Sequence, residues 1–304
     1  PPLNWVRLGI LPMAARMDGK ALSDETIAQL KVKVEEMKER YGRVPGLATV
    51  IVTGRSDSAL YVKNKRRVCG EIGIRSVNVD LEANVSQEEI TQKVRDLNAA
   101  EDIHGILVQL PLPEHLDAAA ILDEITPEKD VDGLHPMNIG LLAQKGRTPM
   151  ATCCTPQGVM TLLAKYQIPL AGANAVIVGR SNIVGVPMSL LLLKADCTVT
   201  ICHSRTKDIA KVIGEADIVV AAIGKAQFVQ GSWLKPGAVV IDVGMNSIPD
   251  ASRKTGKRLV GDVDFDTCSQ VASYITPVPG GVGPMTIATL MSNVIALAER
   301  KFAA

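Results

Sequence analysis

Ala175-Val176-Ile177-Val178-Gly179-Arg180-Ser181-Asn182-Ile183-Val184-Gly185-Val186-Pro187 reads as a short apolar strand, a glycine turn and the start of a helix. The amides and dipole of a helix N-terminus favour an anionic pyrophosphate at such a turn. The spacing departs from G-x-G-x-x-G, because Ser181 fills the second glycine place. Alone, the stretch leaves two readings open: a dinucleotide turn and a purely structural one.

Its neighbours extend the pattern. Pro156 suits a helix N1 position, so 156–166 reads as a helix leading into the strand at 175–178. Helix 184–194, strand 198–201, helix 206–215 and strands 218–222 and 238–243 follow. Upstream, Leu22, Ile27, Leu30, Val34 and Met37 recur at helical spacing over 22–41. Strand 47–53, helix 58–73, strand 76–81, helix 86–99 and strand 103–110 then alternate, with short helices at 116–122 and 137–143. This alternation predicts an α/β protein of two α/β domains, each built on a parallel sheet covered on both faces. The apolar run 287–297 belongs to a long final helix, 285–301.

A chain of 304 residues has room for two cores. Its net charge of +1 gives no electrostatic case for nucleic acid or a membrane surface, and 3% aromatic residues leave few stacking platforms. Read along the sequence, no apolar run reaches the roughly 18 residues of a membrane span. Six cysteines lack disulfide-framework spacing and any CxxC pair, which suits a reducing compartment. Four scattered histidines predict no zinc site. Residues 1–17 carry Arg7 and Arg16 and no acid; an organellar presequence and a plain terminus explain this equally well.

The end of the second strand in the nucleotide half discriminates between coenzymes. NAD-selective sites place a carboxylate there for the ribose 2′-hydroxyl. Here the residues are Cys202-His203-Ser204-Arg205-Thr206, with no acid before Asp208. Arg180 and Arg205 supply forked donors suited to a 2′-phosphate, which favours NADP. Gly224 and Gly244 follow the third and fourth strands, where ligands of such sheets sit, or serve only as turn formers.

Four further motifs complete the pattern. Ser58-x-x-Tyr61-x-x-x-Lys65 sets Tyr61 and Lys65 on one helical face. Short-chain dehydrogenases share Tyr-x-x-x-Lys, but there it follows the glycine turn, and here it precedes Gly179 by over a hundred residues. Gln109-Leu110-Pro111-Leu112-Pro113 closes a strand, Asp130-Val131-Asp132-Gly133 forms a turn, and Thr276-Pro277-Val278-Pro279-Gly280-Gly281-Val282-Gly283-Pro284-Met285-Thr286 packs three prolines and three glycines into eleven residues. With GRS-x-x-VG-x-P at 179–187, these segments strongly resemble the methylenetetrahydrofolate dehydrogenase/cyclohydrolase family, in the family's order and over nearly the whole chain.

The resemblance implies a folate-binding catalytic domain at 1–154 plus 284–304 and a Rossmann-like NADP-binding domain at 155–283. The final helix returns to the first domain, and a cleft lies between the two. It implies NADP-dependent oxidation of 5,10-methylenetetrahydrofolate to the methenyl compound, then hydrolysis to 10-formyltetrahydrofolate. Lys65 matches the catalytic lysine and Tyr61 the tyrosine that stacks on the folate. Gln109 matches the glutamine bonded to the lysine, and Asp132 the carboxylate on the pterin edge. Ser58, Leu110, Pro111, Pro279, Gly280 and Gly281 border the substrate, and Pro277 is structural. Gly179, Arg180, Ser181, Gly185, Ser204, Arg205, Thr206, Gly224, Gly244 and Thr286 border the coenzyme. A homodimer in the cytoplasm, or alternatively the mitochondrion, is the family expectation. A dehydrogenase without the hydrolase step and a non-catalytic NADP- or folate-binding regulator are the rival readings. Two departures stand out: Cys153 where the family usually has Pro before Cys154-Thr155-Pro156, and Thr53 where Gly is common.

Overall fold

The computed structural model describes residues 13–52, 59–253 and 256–303, with the side chains of 59–62 outside that description. The chain divides into two compact units, Ser23–Cys154 with Ile287–Ala304, and Pro1–Leu22 with Thr155–Thr286.

The first of these is built on three parallel strands in the order Arg75–Leu81, Gly46–Val52, Gly105–Val108. Side chains alternate across a strand, and the sequence uses both faces. Leu47 and Leu107 join one core with Val68, Cys69 and Ile72 of helix Ala59–Ile72 and with Ala288, Met291, Val294, Ile295 and Ala298 of the final helix. Ala48, Val50, Ile106 and Val108 face the other core, with Ile90, Val94 and Leu97 of helix Gln87–Ala99. That helix starts where Ser86 accepts the Glu89 amide, and Glu88 and Glu89 complement its dipole. Each fully buried Ile or Val contributes roughly 1.5–3 kcal/mol of apolar burial.

The final helix, Val282–Ala303, is long and apolar enough to cross a membrane by length and composition, contrary to the reading of the sequence. Its residues from Ala288 to Ala298 nevertheless supply the centre of the first core, so it is a buried core helix.

The second unit holds a six-stranded sheet, parallel throughout. Its order is Ala15–Arg16, Tyr274–Ile275, Val239–Asp242, Ile218–Ala221, Asn174–Val178, Thr198–Cys202. The strand ending at Val178 therefore lies between the second and third strands of its half, which places the switch point of the sheet at Gly179. The core beneath includes Val176, Val178, Val219, Ala221, Val240 and Ile275. The N-terminal segment through Leu22 groups with this unit because Ala15–Arg16 pairs with Tyr274–Ile275 and the Met17 amide bonds the Ile275 carbonyl. A short antiparallel ribbon, Asn246–Pro249 with Lys257–Val260, is also absent from the sequence reading, as are strand Tyr274–Ile275 and the short helix Phe265–Cys268. The ribbon's second strand opens on two charges, so it carries no apolar signature.

Candidate active site

Lys65 lies on helix Ala59–Ile72, whose buried face of Val68, Cys69 and Ile72 fixes the helix against the first core. The half-buried Lys65 ammonium donates to Gln109 Oε1 at 3.0 Å. Gln109 in turn donates from Nε2 to the Leu110 carbonyl at 2.8 Å, and its backbone amide donates to the Val50 carbonyl on the central strand. Both ends of the Gln109 amide are thereby used, which fixes its orientation. Leu110 is half-buried and Pro111 exposed beside it, joined by a cis peptide.

Asp132 sits in a turn held on several sides. Buried Asp130 accepts the amides of Leu134 (3.2 Å) and His135 (2.8 Å) and the Asn138 side chain (2.8 Å). Asn293, from the final helix, donates to the Val131 carbonyl at 2.8 Å and to the Thr152 carbonyl at 2.9 Å. The Cys153 thiol donates to the Gly133 carbonyl. Cys154 Sγ lies 3.6 Å from Asp132 Oδ1 and 3.6 Å from Asn293 Nδ2. Burial pushes the Asp132 carboxyl up to about 6, against the opposing pull of the Lys65 charge. Lys65, Gln109, Asp132 and Cys154 are thus brought together in one unit. Burial raises the thiols of Cys153 and Cys154 well above the ordinary range, and all six cysteines are free and buried. The Cys153 thiol ties this segment to the turn at Gly133 through its hydrogen bond. Ser58 and Thr53 lie outside the described residues, as does the side chain of Tyr61.

In the other unit, Gly179 has φ +129°, and a Cβ there would collide with the Ala222 carbonyl, so the turn needs glycine on both counts. The Ser181 hydroxyl accepts the amides of Val184 and Gly185, just ahead of helix Gly185–Lys194. Arg180 is exposed. At the end of the second strand, Thr206 Oγ1 accepts the His203 amide, and His203 Nδ1 accepts that of Arg205. This closed turn leaves Ser204 and Arg205 exposed, with no carboxylate among residues 202–206. The donor set therefore fits a phosphorylated ribose better than a bare 2′-hydroxyl.

Gly224 follows the third strand and is exposed. Gly244 is buried, and a Cβ there would run into the Asp262 carboxylate, so its small size serves packing inside the unit. In the proline-glycine segment, Pro277 and Gly281 are buried, Gly280 has φ +103° with its carbonyl bonded to the Lys20 amide, and Pro279 is exposed. The Thr286 hydroxyl pairs with that of Thr155 at 3.0 Å. A cavity of about 890 Å³ borders Pro277, Val278 and Pro279, with Arg16 and Arg258 in its wall; Gly179 and Gly224 do not line it.

Comparison with known proteins decides the family. The model described as Tetrahydrofolate dehydrogenase/cyclohydrolase, catalytic domain matches residues 17–132, and its NAD(P)-binding domain counterpart matches residues 153–302. The chain belongs to the tetrahydrofolate dehydrogenase/cyclohydrolase family. Its relatives include Bifunctional protein FolD 2 of Arabidopsis thaliana, 54% identical over 94% of this chain and 96% of that protein. Bifunctional protein FolD of Chloroherpeton thalassium is 52% identical over 92% of this chain and 96% of that protein. A crystal structure of the Trypanosoma brucei methylenetetrahydrofolate dehydrogenase-cyclohydrolase, complexed with NADP cofactor and inhibitor, matches with a TM-score of 0.93 and 44% identity. The match covers 97% of this chain and all of that one.

Several residues that anchor loops within the two units carry no mark in the sequence. Asp130 stands inside the Asp130-Val131-Asp132-Gly133 motif, where the sequence gives it no role of its own. Asn293 had one available signal, a polar amide on the apolar stripe of the final helix. Asp262, fully buried, offered none.

Proposed function

We infer that this chain is a bifunctional enzyme of one-carbon metabolism. It oxidises 5,10-methylenetetrahydrofolate with NADP and hydrolyses the resulting 5,10-methenyl compound to 10-formyltetrahydrofolate. Membership of the family over both halves supports the pair of activities. The observation that carries the chemistry is the Lys65–Gln109 bond beside the enclosed Asp132 carboxyl.

When bound, NADP supplies the acceptor for a hydride from the substrate's methylene carbon. Asp132 accepts paired hydrogen bonds from the aminopyrimidine edge and sets the ring's orientation. In the second step water adds to the methenyl carbon, one proton departs, and a carbon–nitrogen bond of the imidazoline ring breaks to leave the formyl group on N10. Lys65 Nζ, as the neutral amine, is the group of this chain placed to take or relay that proton, and Gln109 holds its geometry. Tyr61 and Ser58 join the folate side in this reading, with Leu110, Pro111, Pro279, Gly280 and Gly281. Gly179, Arg180, Ser181, Gly185, Ser204, Arg205, Thr206, Gly224, Gly244 and Thr286 serve the coenzyme side. We place the enzyme in a reducing compartment, the cytoplasm or alternatively the mitochondrion, a reading supported by its six free thiols, and as a homodimer, which the family resemblance supports.

Absorbance of the methenyl compound, followed with methylene substrate and either NADP or NAD, tests the assignment. The expected result is NADPH formation with little methenyl build-up, and much slower turnover with NAD. Stoichiometric accumulation of the methenyl compound would instead identify a dehydrogenase without the hydrolase step.

A further inference from the structure

Beneath the coenzyme side of the sheet lies a pair of buried carboxylates that no motif announces. Asp262 is 0% exposed and Asp242 4%. Asp262 Oδ2 accepts two consecutive amides, those of Ile223 at 2.6 Å and Gly224 at 2.9 Å, and Oδ1 accepts the Asn246 side chain at 2.9 Å. Its own amide donates to Asp242 Oδ1 at 2.8 Å. Asp242 also accepts Gly244 at 2.9 Å and Val263 at 3.0 Å, and its amide donates to Thr276 Oγ1 at 2.7 Å.

One network therefore ties together the loops after strands Ile218–Ala221 and Val239–Asp242 and the first residue of the proline-glycine segment. Neither acid has a basic side chain in a described ion pair or hydrogen bond; their oxygens are met by backbone amides and one carboxamide. Burying two carboxylates together is costly. A packed apolar pair would fill the same space, but it could not draw two successive amides onto one oxygen. The loop so held begins at Ala222, whose carbonyl faces the glycine turn at Gly179.

We propose that Asp262 is a positioning residue for the coenzyme, acting through the Ile223 and Gly224 amides, with Asp242 and Asn246 fixing Asp262 in turn. This rests on the reading of Gly224 as part of the coenzyme side. Asp262→Asn tests it, because an amide has one acceptor oxygen where the native side chain uses two, and that neutral oxygen holds the Ile223 and Gly224 amides more weakly than a carboxylate does. Hydrolysis of supplied methenyltetrahydrofolate needs no coenzyme, so the same preparation reports on the integrity of the other half. The expected result is a KM for NADP raised at least tenfold, with hydrolysis within twofold of wild type. An unchanged KM for NADP, or parallel loss of both activities, would overturn the proposal. If Asp262→Asn yields no folded protein, Asn246→Ala is read by the same two assays: an NADP KM raised about threefold with hydrolysis held supports it, and no change or parallel loss rejects it. A wild-type enzyme that used no nicotinamide coenzyme would defeat the underlying reading instead.

Discussion

Gln109 grips Lys65 with one end of its amide and its own chain with the other: Oε1 accepts the lysine ammonium at 3.0 Å while Nε2 donates to the Leu110 carbonyl at 2.8 Å. The lysine's direction is thus set by a group that cannot rotate without losing two hydrogen bonds. Gln109→Leu keeps the bulk and removes both. It is expected to slow methenyl hydrolysis at least tenfold with little change in thermal midpoint, as measured by stopped assay and circular dichroism. Retention of full hydrolytic rate would show that Lys65 needs no such partner.

Asn293 links the final helix to the backbone on either side of Asp132's pocket. Asn293→Leu leaves the Val131 and Thr152 carbonyls without that donor, each costing about 1–3 kcal/mol where buried. The expected variant has a lower denaturation midpoint and a several-fold higher KM for the folate substrate, with its KM for NADP unaltered. Steady-state kinetics with each substrate varied in turn checks the split.

Asp132 titrates near 6 in the folded protein, against about 3.9 for an unperturbed aspartate. A raised pKa in an acid means that the protonated form is favoured by folding. The resulting stability is fully present below about 4 and is lost as pH rises through about 6. Asp132→Asn, which cannot ionise, should match the ligand-free wild type at pH 4. Above pH 6.5 it should exceed it by on the order of 1 kcal/mol, discounted for partial exposure. Folate binding should move the other way. The wild-type KM rises as pH falls below 6, because the pterin edge needs the ionised carboxylate, and the Asn variant should bind poorly at every pH. Denaturation midpoints and KM measured across pH 4–8 test both trends.

Arg205 is exposed beside the closed 203–206 turn and has no acidic neighbour there. If it meets a 2′-phosphate, Arg205→Ala forfeits a charge-assisted bond of about 1.5–3 kcal/mol. NADP KM should then rise roughly tenfold or more, with the NAD value hardly changed. Equal effects on the two coenzymes would remove Arg205 from coenzyme selection.

Much of the framework was legible because it rests on short-range pattern. Leu47, Ala48 and Val50 alternate between the two cores as a parallel strand requires, and the turn at Gly179 is written in consecutive residues. Lys65 and Gln109 were reached through motifs, since 44 positions separate them and no spacing rule joins a helix to a strand end. Long-range polar anchors escaped. Asp262 is 39 positions from Ile223, and Asn293 is 162 from Val131; in each case the partner is a backbone group, which has no letter in a sequence. The edge strand Ala15–Arg16 was missed because two residues carry no periodicity, and its partners lie near the other end of the chain.

The most direct measurement of the central claim is the rate at which purified Lys65→Met enzyme hydrolyses supplied 5,10-methenyltetrahydrofolate, corrected for the spontaneous reaction. Loss of at least a hundredfold in a variant that still binds folate and keeps its thermal midpoint is the expected outcome. A hydrolytic rate equal to wild type would contradict the assignment of Lys65 as the proton-handling group.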